Sequence, residues 1–206
     1  MNVLAIVASP RRKGLVSTMA QRMLDGAASN DHQVELVNLY DCELDHCLGC
    51  WACAKKGHCI QDDDFNALFE KVKAADVLVL ASPVYWSNVP GIMKTFFDRH
   101  CGSIWDWSQS RRYPVINFEW PPLRPEMRGK QAVLILACSA PLPPPLDRLP
   151  MTHEVYDASR AMVNYTRKLK MEIVSRLVFY NTKNPQFVKK HRERFFARAY
   201  EIGRRL

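Results

Sequence analysis

The sequence predicts a doubly wound α/β fold. Three observations lead there. Five short runs read as strands, and those around Val3, Val77 and Val133 are apolar throughout rather than alternating, as strands buried on both faces are. Segments with apolar residues at three- and four-residue spacing separate them. The chain has 206 residues, 48% hydrophobic and 24% charged, which is long enough to bury one full core. That composition excludes a disordered chain, a collagen-like chain and a coiled coil.

The elements follow in order. Residues 3–8 are rich in β-branched side chains and stop at the turn signal Ser9-Pro10, so they read as a buried strand. Residues 15–28 carry Leu15, Met19, Ala20, Met23, Leu24 and Ala27 at helical spacing. Residues 33–39 alternate and form the second strand. Residues 62–74 read as a helix, with Asp62, Asp63 and Asp64 suited to its N-terminus as caps rather than as an acid–base pair. Residues 76–81 form the third strand, and 91–100 a helix with Ile92, Thr95, Phe96 and Arg99 in register. Residues 101–128 are irregular, with Trp105, Trp107 and Trp120 among prolines, as functional loops or oligomer contacts are. Residues 131–137 form the fourth strand, and the prolines of 141–145 stiffen the connection after it. A helix over 152–169, a fifth strand over 173–180 and a helix over 185–205 complete one domain over residues 1–206.

Charge and leader signals narrow the function classes. No apolar run reaches the ~18 residues of a membrane helix. The first residues lack a basic n-region, so no signal peptide is expected and the expected location is cytoplasmic. The net charge is +8, of which residues 183–206 carry +6. There the apolar side, with Phe187, Val188, Phe195, Phe196, Ala199 and Ile202, faces a core, and the cations form a solvated face. Neither a nucleic-acid nor a membrane partner is expected. No Ser/His/Asp or Cys/His triad and no HExxH is present.

In a doubly wound sheet, ligands sit beyond the carboxyl ends of the strands. The loop after the first strand, residues 9–14, leads into Ser17 and Thr18. Its hydroxyls, cations, glycine and fresh helix N-terminus suit an anion, or simply cap a helix. The loop after the third strand, residues 82–91, puts Tyr85 and Trp86 among Ser, Asn and Pro residues, which suits a flat heterocycle.

Together, Ser9-Pro10-Arg11 with Gly14, then Ser82-Pro83-Val84-Tyr85-Trp86, then Gly91 to Asp98-Arg99, resemble the flavodoxin-like NAD(P)H-dependent FMN reductase family. More narrowly, they are similar to the iron–sulfur flavoproteins. The resemblance implies a five-stranded parallel sheet in the order 2-1-3-4-5 with helices on both faces. It implies FMN bound near the seam of a homodimer or homotetramer. Phe118 and Trp120 are a sequence hint of such an apolar seam. The implied phosphate contacts are Ser9, Arg11, Ser17 and Thr18, and the implied ring and ribityl contacts are Pro83, Val84, Tyr85, Trp86 and Asn88. Ser139, after the fourth strand, would approach the ring. The implied activity is electron transfer from NAD(P)H through FMN to a quinone, a nitro or azo compound, a flavin or a protein. The chemistry belongs to the cofactor, so no side chain need act as general acid or base.

Four of the seven cysteines, Cys47, Cys50, Cys53 and Cys59, fall within thirteen residues. Three at two-residue spacing let one loop wrap several corners of an iron–sulfur cubane. The spacing and its place after the second strand match the iron–sulfur flavoproteins. That resemblance implies a [4Fe-4S] cluster relaying single electrons between FMN and a partner such as ferredoxin. Two other readings stay open: unligated or disulfide-paired thiols, and zinc. His46 and His58, which flank the run, read as solvated. Cys42, Cys101 and Cys138 lie outside the spacing, and Cys138 reads as a small buried apolar residue.

Overall fold

The computed structural model describes residues 1–109, 121–140 and 153–206. The hint at Phe118 and Trp120 and the proline run 141–145 lie outside them. The strands are β1 (Asn2–Val7), β2 (Gln33–Asn38), β3 (Val77–Pro83), β4 (Gln131–Ala137) and β5 (Glu172–Phe179). All pair in parallel, in the order β2-β1-β3-β4-β5, which is the flavodoxin-like order. The helices are α1 (Leu15–Ala28), α2 (Ala52–Lys56), α3 (Phe65–Ala74), α4 (Gly91–Arg99), α5 (His153–Lys168) and α6 (Pro185–Arg204). The sequence pattern gives no sign of α2, a five-residue helix inside the cysteine loop.

Alternation along the central strands builds two cores. Val3, Ala5 and Val7 of β1 face α1 and α6, with Met19, Met23, Leu24 and Phe179. Leu4 and Ile6 face α3, α4 and α5, with Phe65, Phe69, Phe96 and Met162. β1, β3 and β4 are buried on both faces, which is why their sequences are unbroken apolar runs. The edge strands β2 and β5 are only partly buried.

The apolar side of α6 packs as its periodicity predicts, through Phe187, Val188, Phe195, Phe196 and Ile202. Asn184 caps it: its side-chain carbonyl accepts from the N–H groups of Gln186 and Phe187 at 3.1 and 3.0 Å, ahead of Pro185. The described parts of the irregular stretch are anchored in the core. Ile104, Trp105, Leu123 and Met127 are buried in the α3–α4–α5 core, and Trp105 pairs with Leu123 across an antiparallel bridge. No helix among the described residues is long and apolar enough to cross a membrane.

The aspartates before α3 need a correction. Asp64 sits at the cap position, but its carboxylate accepts from the Glu43 N–H at 2.8 Å, not from the helix. Asp63 does cap, accepting from the Phe65 N–H at 3.1 Å. Its main partner is nevertheless Arg99, far along the chain.

Candidate functional site

The carboxyl ends of β1, β3 and β4 gather the candidate residues. After β1 the chain closes on itself. The Arg11 carbonyl accepts from the Gly14 N–H and from the Ser17 hydroxyl, both at 2.9 Å. The Arg11 N–H donates to the Ser9 hydroxyl at 3.3 Å, and the Asn38 side-chain amide donates to the Ser9 carbonyl at 2.9 Å. Ser9 and Ser17 are buried, Thr18 is half-buried and Arg11 is exposed. Gly14 precedes α1 in extended conformation with no side-chain cap, and the first turn carries no acidic residue. The first N–H groups of α1 are thus left without a side-chain partner at a cationic loop, which is an anion-binding arrangement. The Ser17 hydroxyl donates to the Arg11 carbonyl, so the donors on offer here are backbone N–H groups, the Ser9 and Thr18 hydroxyls and the Arg11 guanidinium. Arg12 is committed to Asp41.

After β3, Tyr85 and Asn88 exchange backbone hydrogen bonds at 2.8 and 2.9 Å, closing a two-residue turn. Its central residues, Trp86 and Ser87, have φ of 46° and 59°, the left-handed region. Such turns ordinarily take Asn-Gly. A β-carbon in this conformation costs roughly 1–3 kcal/mol, and such strain clusters at functional sites. Trp86 is 100% exposed at the tip. The turn therefore presents an indole to solvent on a strained but hydrogen-bonded base. Pro83 and Val84 are half-buried, and the Val84 N–H donates to the Ala137 carbonyl at 2.8 Å. That bond ties the turn to the end of β4, where Ser139 is half-buried. We expect Ser87→Gly to raise stability by about 1 kcal/mol, read as a higher midpoint in urea. An unchanged or lower midpoint would mean the turn carries no such strain.

Beside this turn, between α4 and α5, lies a cleft of about 760 Å³. Phe97, Ile104, Trp105, Ala161, Tyr165 and Leu169 form its apolar wall, and Trp86, Ser87 and Asn88 stand at it. That volume and lining suit a drug-sized planar molecule. Phe97 stacks on Tyr165 with centroids 4.2 Å apart. Burial pushes His100 down to about 4, so its ring is neutral at pH 7.

The cysteine loop leaves β2 and returns at α3. None of the seven cysteines forms a disulfide. Cys47 and Cys50 are exposed, Cys53 and Cys59 half-buried, and Cys138 buried as expected. Burial pushes the Cys53 thiol up, a backbone hydrogen bond from Gly102 opposes it, and Cys59 and Cys47 then add to the rise as neighbouring thiols. A Cβ on Gly102 would stand 2.5 Å from the Cys53 sulfur, so a side chain there would have to displace that thiol. Cys101, outside the sequence spacing, also belongs here: burial and Cys47 raise its thiol. Among the described residues no three His, Cys, Asp or Glu side chains converge as a preformed metal site. The donor set, four thiols on one short loop, still fits a thiolate-bound cluster better than any oxygen-ligated ion.

Sequence reasoning passes over the side chain that organises this loop. Arg99, at the end of α4, is 2% exposed. Its Nη1 donates to the Asp45 carbonyl at 2.7 Å and to Asp63 Oδ2 at 2.5 Å. Its Nη2 donates to Asp63 Oδ1 at 2.8 Å and to the Cys59 sulfur at 3.3 Å. The guanidinium lies over the Phe65 ring, 4.7 Å from the centroid. A second tie comes from α4, where Thr95 Oγ1 meets His46 Nδ1 at 2.7 Å, so His46, exposed as expected, is also tethered. The signal is there in the sequence: an arginine occupies the register of Ile92, Thr95 and Phe96, an apolar helix face.

The family model for NADPH-dependent FMN reductase matches residues 1–140. An iron-sulfur flavoprotein of Archaeoglobus fulgidus is 39% identical over 99 residues, which is 48% of this chain and 45% of that protein. An iron-sulfur flavoprotein of Methanocaldococcus jannaschii is 35% identical over 99 residues, covering 48% and 51% of the two chains. The aligned region spans about half the length of these curated relatives. Among solved structures, an NAD(P)H:quinone oxidoreductase from Methanothermobacter marburgensis superposes with a TM-score of 0.73 at 17% identity, covering 99% of this chain and 94% of that one. At that identity the likeness shows the fold alone.

Proposed function

The chain belongs to the NADPH-dependent FMN reductase family, and from that premise we propose that it is an FMN-dependent oxidoreductase drawing electrons from NAD(P)H. FMN, when bound, accepts a hydride from a nicotinamide and releases its electrons in pairs or singly. The observation that carries the reading is the pairing of an uncapped, acid-free helix N-terminus after β1 with a strained aromatic turn after β3, on adjacent strands.

The uncapped N–H groups of α1 and the Arg11 guanidinium would hold the phosphate, with Ser9 and Thr18 beside it and Ser17 shaping the loop. Pro83, Val84, Tyr85, Trp86 and Asn88 would lie along the ring and ribityl chain, with Ser139 approaching from β4. Trp86 would exclude water from one side of the ring. The α4–α5 cleft beside it is where a planar acceptor such as a quinone, a nitro or azo compound or a second flavin would enter. Two electrons and one proton leave NAD(P)H as hydride, and a quinone would take both electrons with a second proton from solvent. No protein acid or base is required. A homodimer or homotetramer would close the exposed Trp86 against a partner.

Two measurements test this. Anaerobic addition of NADPH or NADH to FMN-loaded protein should bleach the visible flavin band, and a band that persists with both nucleotides would sink the reading. Trp86→Ala should weaken FMN binding about tenfold, the effect of losing roughly 1.4 kcal/mol of contact. Quenching of flavin fluorescence reports this directly.

A second reading is favoured by the cysteine loop and the Arg99 bond to Cys59. In it the chain is an electron relay, with an iron–sulfur cluster on Cys47, Cys50, Cys53 and Cys59 exchanging electrons with a protein such as a ferredoxin. A cluster, when bound, carries one electron at a time. Anaerobic purification with iron and acid-labile sulfide analysis decides between them. About four irons per chain support the relay, and a value near zero removes it.

A further inference from the structure

Arg99 does more than fill space. It is a guanidinium with no exposed side-chain surface, paired with an aspartate that is 4% exposed. Burying that pair is costly, and an apolar pair of similar volume would often serve stability as well or better. Its geometry concerns the thiol loop at three points. The Asp45 carbonyl lies two residues before Cys47, Cys59 is the last thiol of the run, and Asp63 lies four residues beyond Cys59. Asp63 is in turn fixed by the Asp45 N–H at 2.9 Å and the Phe65 N–H at 3.1 Å. The fork is therefore oriented from several directions, and its Nη2 is shared between Asp63 and sulfur.

We propose that Arg99 is a positioning residue for the thiol centre. It clamps both ends of the cysteine loop to α4 and places a charged N–H donor on the Cys59 sulfur. The proposal rests on the reading that the loop holds an iron–sulfur cluster. A hydrogen bond and a positive charge at a cluster-ligating sulfur stabilise the state with one more electron, so they raise the reduction potential. Asp63 works against this. Its carboxylate balances the guanidinium charge while holding the fork on the sulfur. The two residues therefore have opposite effects on the potential, although they act together in folding.

That opposition gives a test that a structural role alone would not satisfy. Wild type, Asp63→Asn and the double variant R99Q/D63N are purified anaerobically. The double variant removes both charges, so no lone ion is left buried. Iron and acid-labile sulfide are counted first, and the midpoint of the centre is then titrated against a dithionite-poised mediator mixture. In the double variant the opposed charges leave together and the lost N–H donor to Cys59 decides the sign, so we expect the reduced-to-oxidised ratio at fixed poise to fall by up to about tenfold, a shift of about 59 mV for a one-electron couple. Asp63→Asn alone should shift it the other way.

Loaded variants with the wild-type midpoint would overturn the proposal while leaving the cluster reading intact. Wild-type protein without iron would overturn the cluster reading, and the proposal with it. Should the variants fail to fold, wild-type protein labelled with 15N-arginine carries the test. The reduced centre should show a nitrogen hyperfine coupling from the guanidinium, and its absence would overturn the contact.

Discussion

Gly26→Ala is expected to destabilise the protein by about 3 kcal/mol, although alanine is the better helix former. On propensity alone the change would stabilise α1 by up to about 1 kcal/mol. The packing reverses the sign. A Cβ at Gly26 would stand 2.0 Å from the Tyr200 carbonyl oxygen, and one at Gly203 would stand 1.9 Å from that of Met23. Both obstacles are backbone, so no rotamer change relieves them and the helices must separate. Overpacking ordinarily costs 1–3 kcal/mol, and a backbone clash lies at the upper end. For a chain of this size that is a fall in melting temperature of roughly 6–12 °C. Gly203→Ala should behave alike. Gly91→Ala, where nothing stands within 4 Å of the new methyl group, is the control and should be neutral. Thermal melts of the three variants check the ordering. A Gly26→Ala protein as stable as Gly91→Ala would contradict the close crossing.

Asp63→Ala should cost about 3–5 kcal/mol, because it strands the Arg99 guanidinium in the interior. The effect has a pH signature. Burial alone would push the Asp63 carboxyl up, but hydrogen bonds from Arg99, Asp45 and Phe65 override it and hold the carboxyl below its ordinary value. A group with a depressed folded-state pKa contributes stability above its unfolded value, about 3.9 for aspartate. That contribution disappears as pH falls through the folded value. The gap between wild type and Asp63→Ala in urea should therefore be full at neutral pH and shrink below about pH 4. A gap that stays constant on acidification would show that the carboxylate charge is not what Arg99 uses.

Much of the fold is legible because central parallel strands have a plain sequence signature. The runs around Val3, Val77 and Val133 are apolar on both faces, and periodicity locates α1 and α6 within a residue or so. The site is legible only in outline. Ser9, Trp86 and the four thiols can be picked out because their types and spacing are unusual for loops. Commitment cannot be read in this way. Ser17 donates its hydroxyl to the Arg11 carbonyl, Asp63 reaches across to Arg99, and Cys101 comes within electrostatic reach of Cys47. Each depends on a contact between residues distant in sequence or on a turn geometry that local pattern does not encode. The anchoring of Ile104, Trp105, Leu123 and Met127 in the core is hidden for the same reason, since tryptophans among prolines look like a surface loop.

Helix α4 begins directly after the aromatic turn and ends at the arginine clamp. Nine residues at about 1.5 Å each make it a rigid spacer of roughly 14 Å. It is thereby a length standard joining two chemically different ends of the molecule. One residue inserted within it would turn everything beyond by about 100°, swinging the guanidinium away from Asp63 and Cys59. The turn and the loop can diverge in composition, but the helix between them cannot change length without uncoupling them.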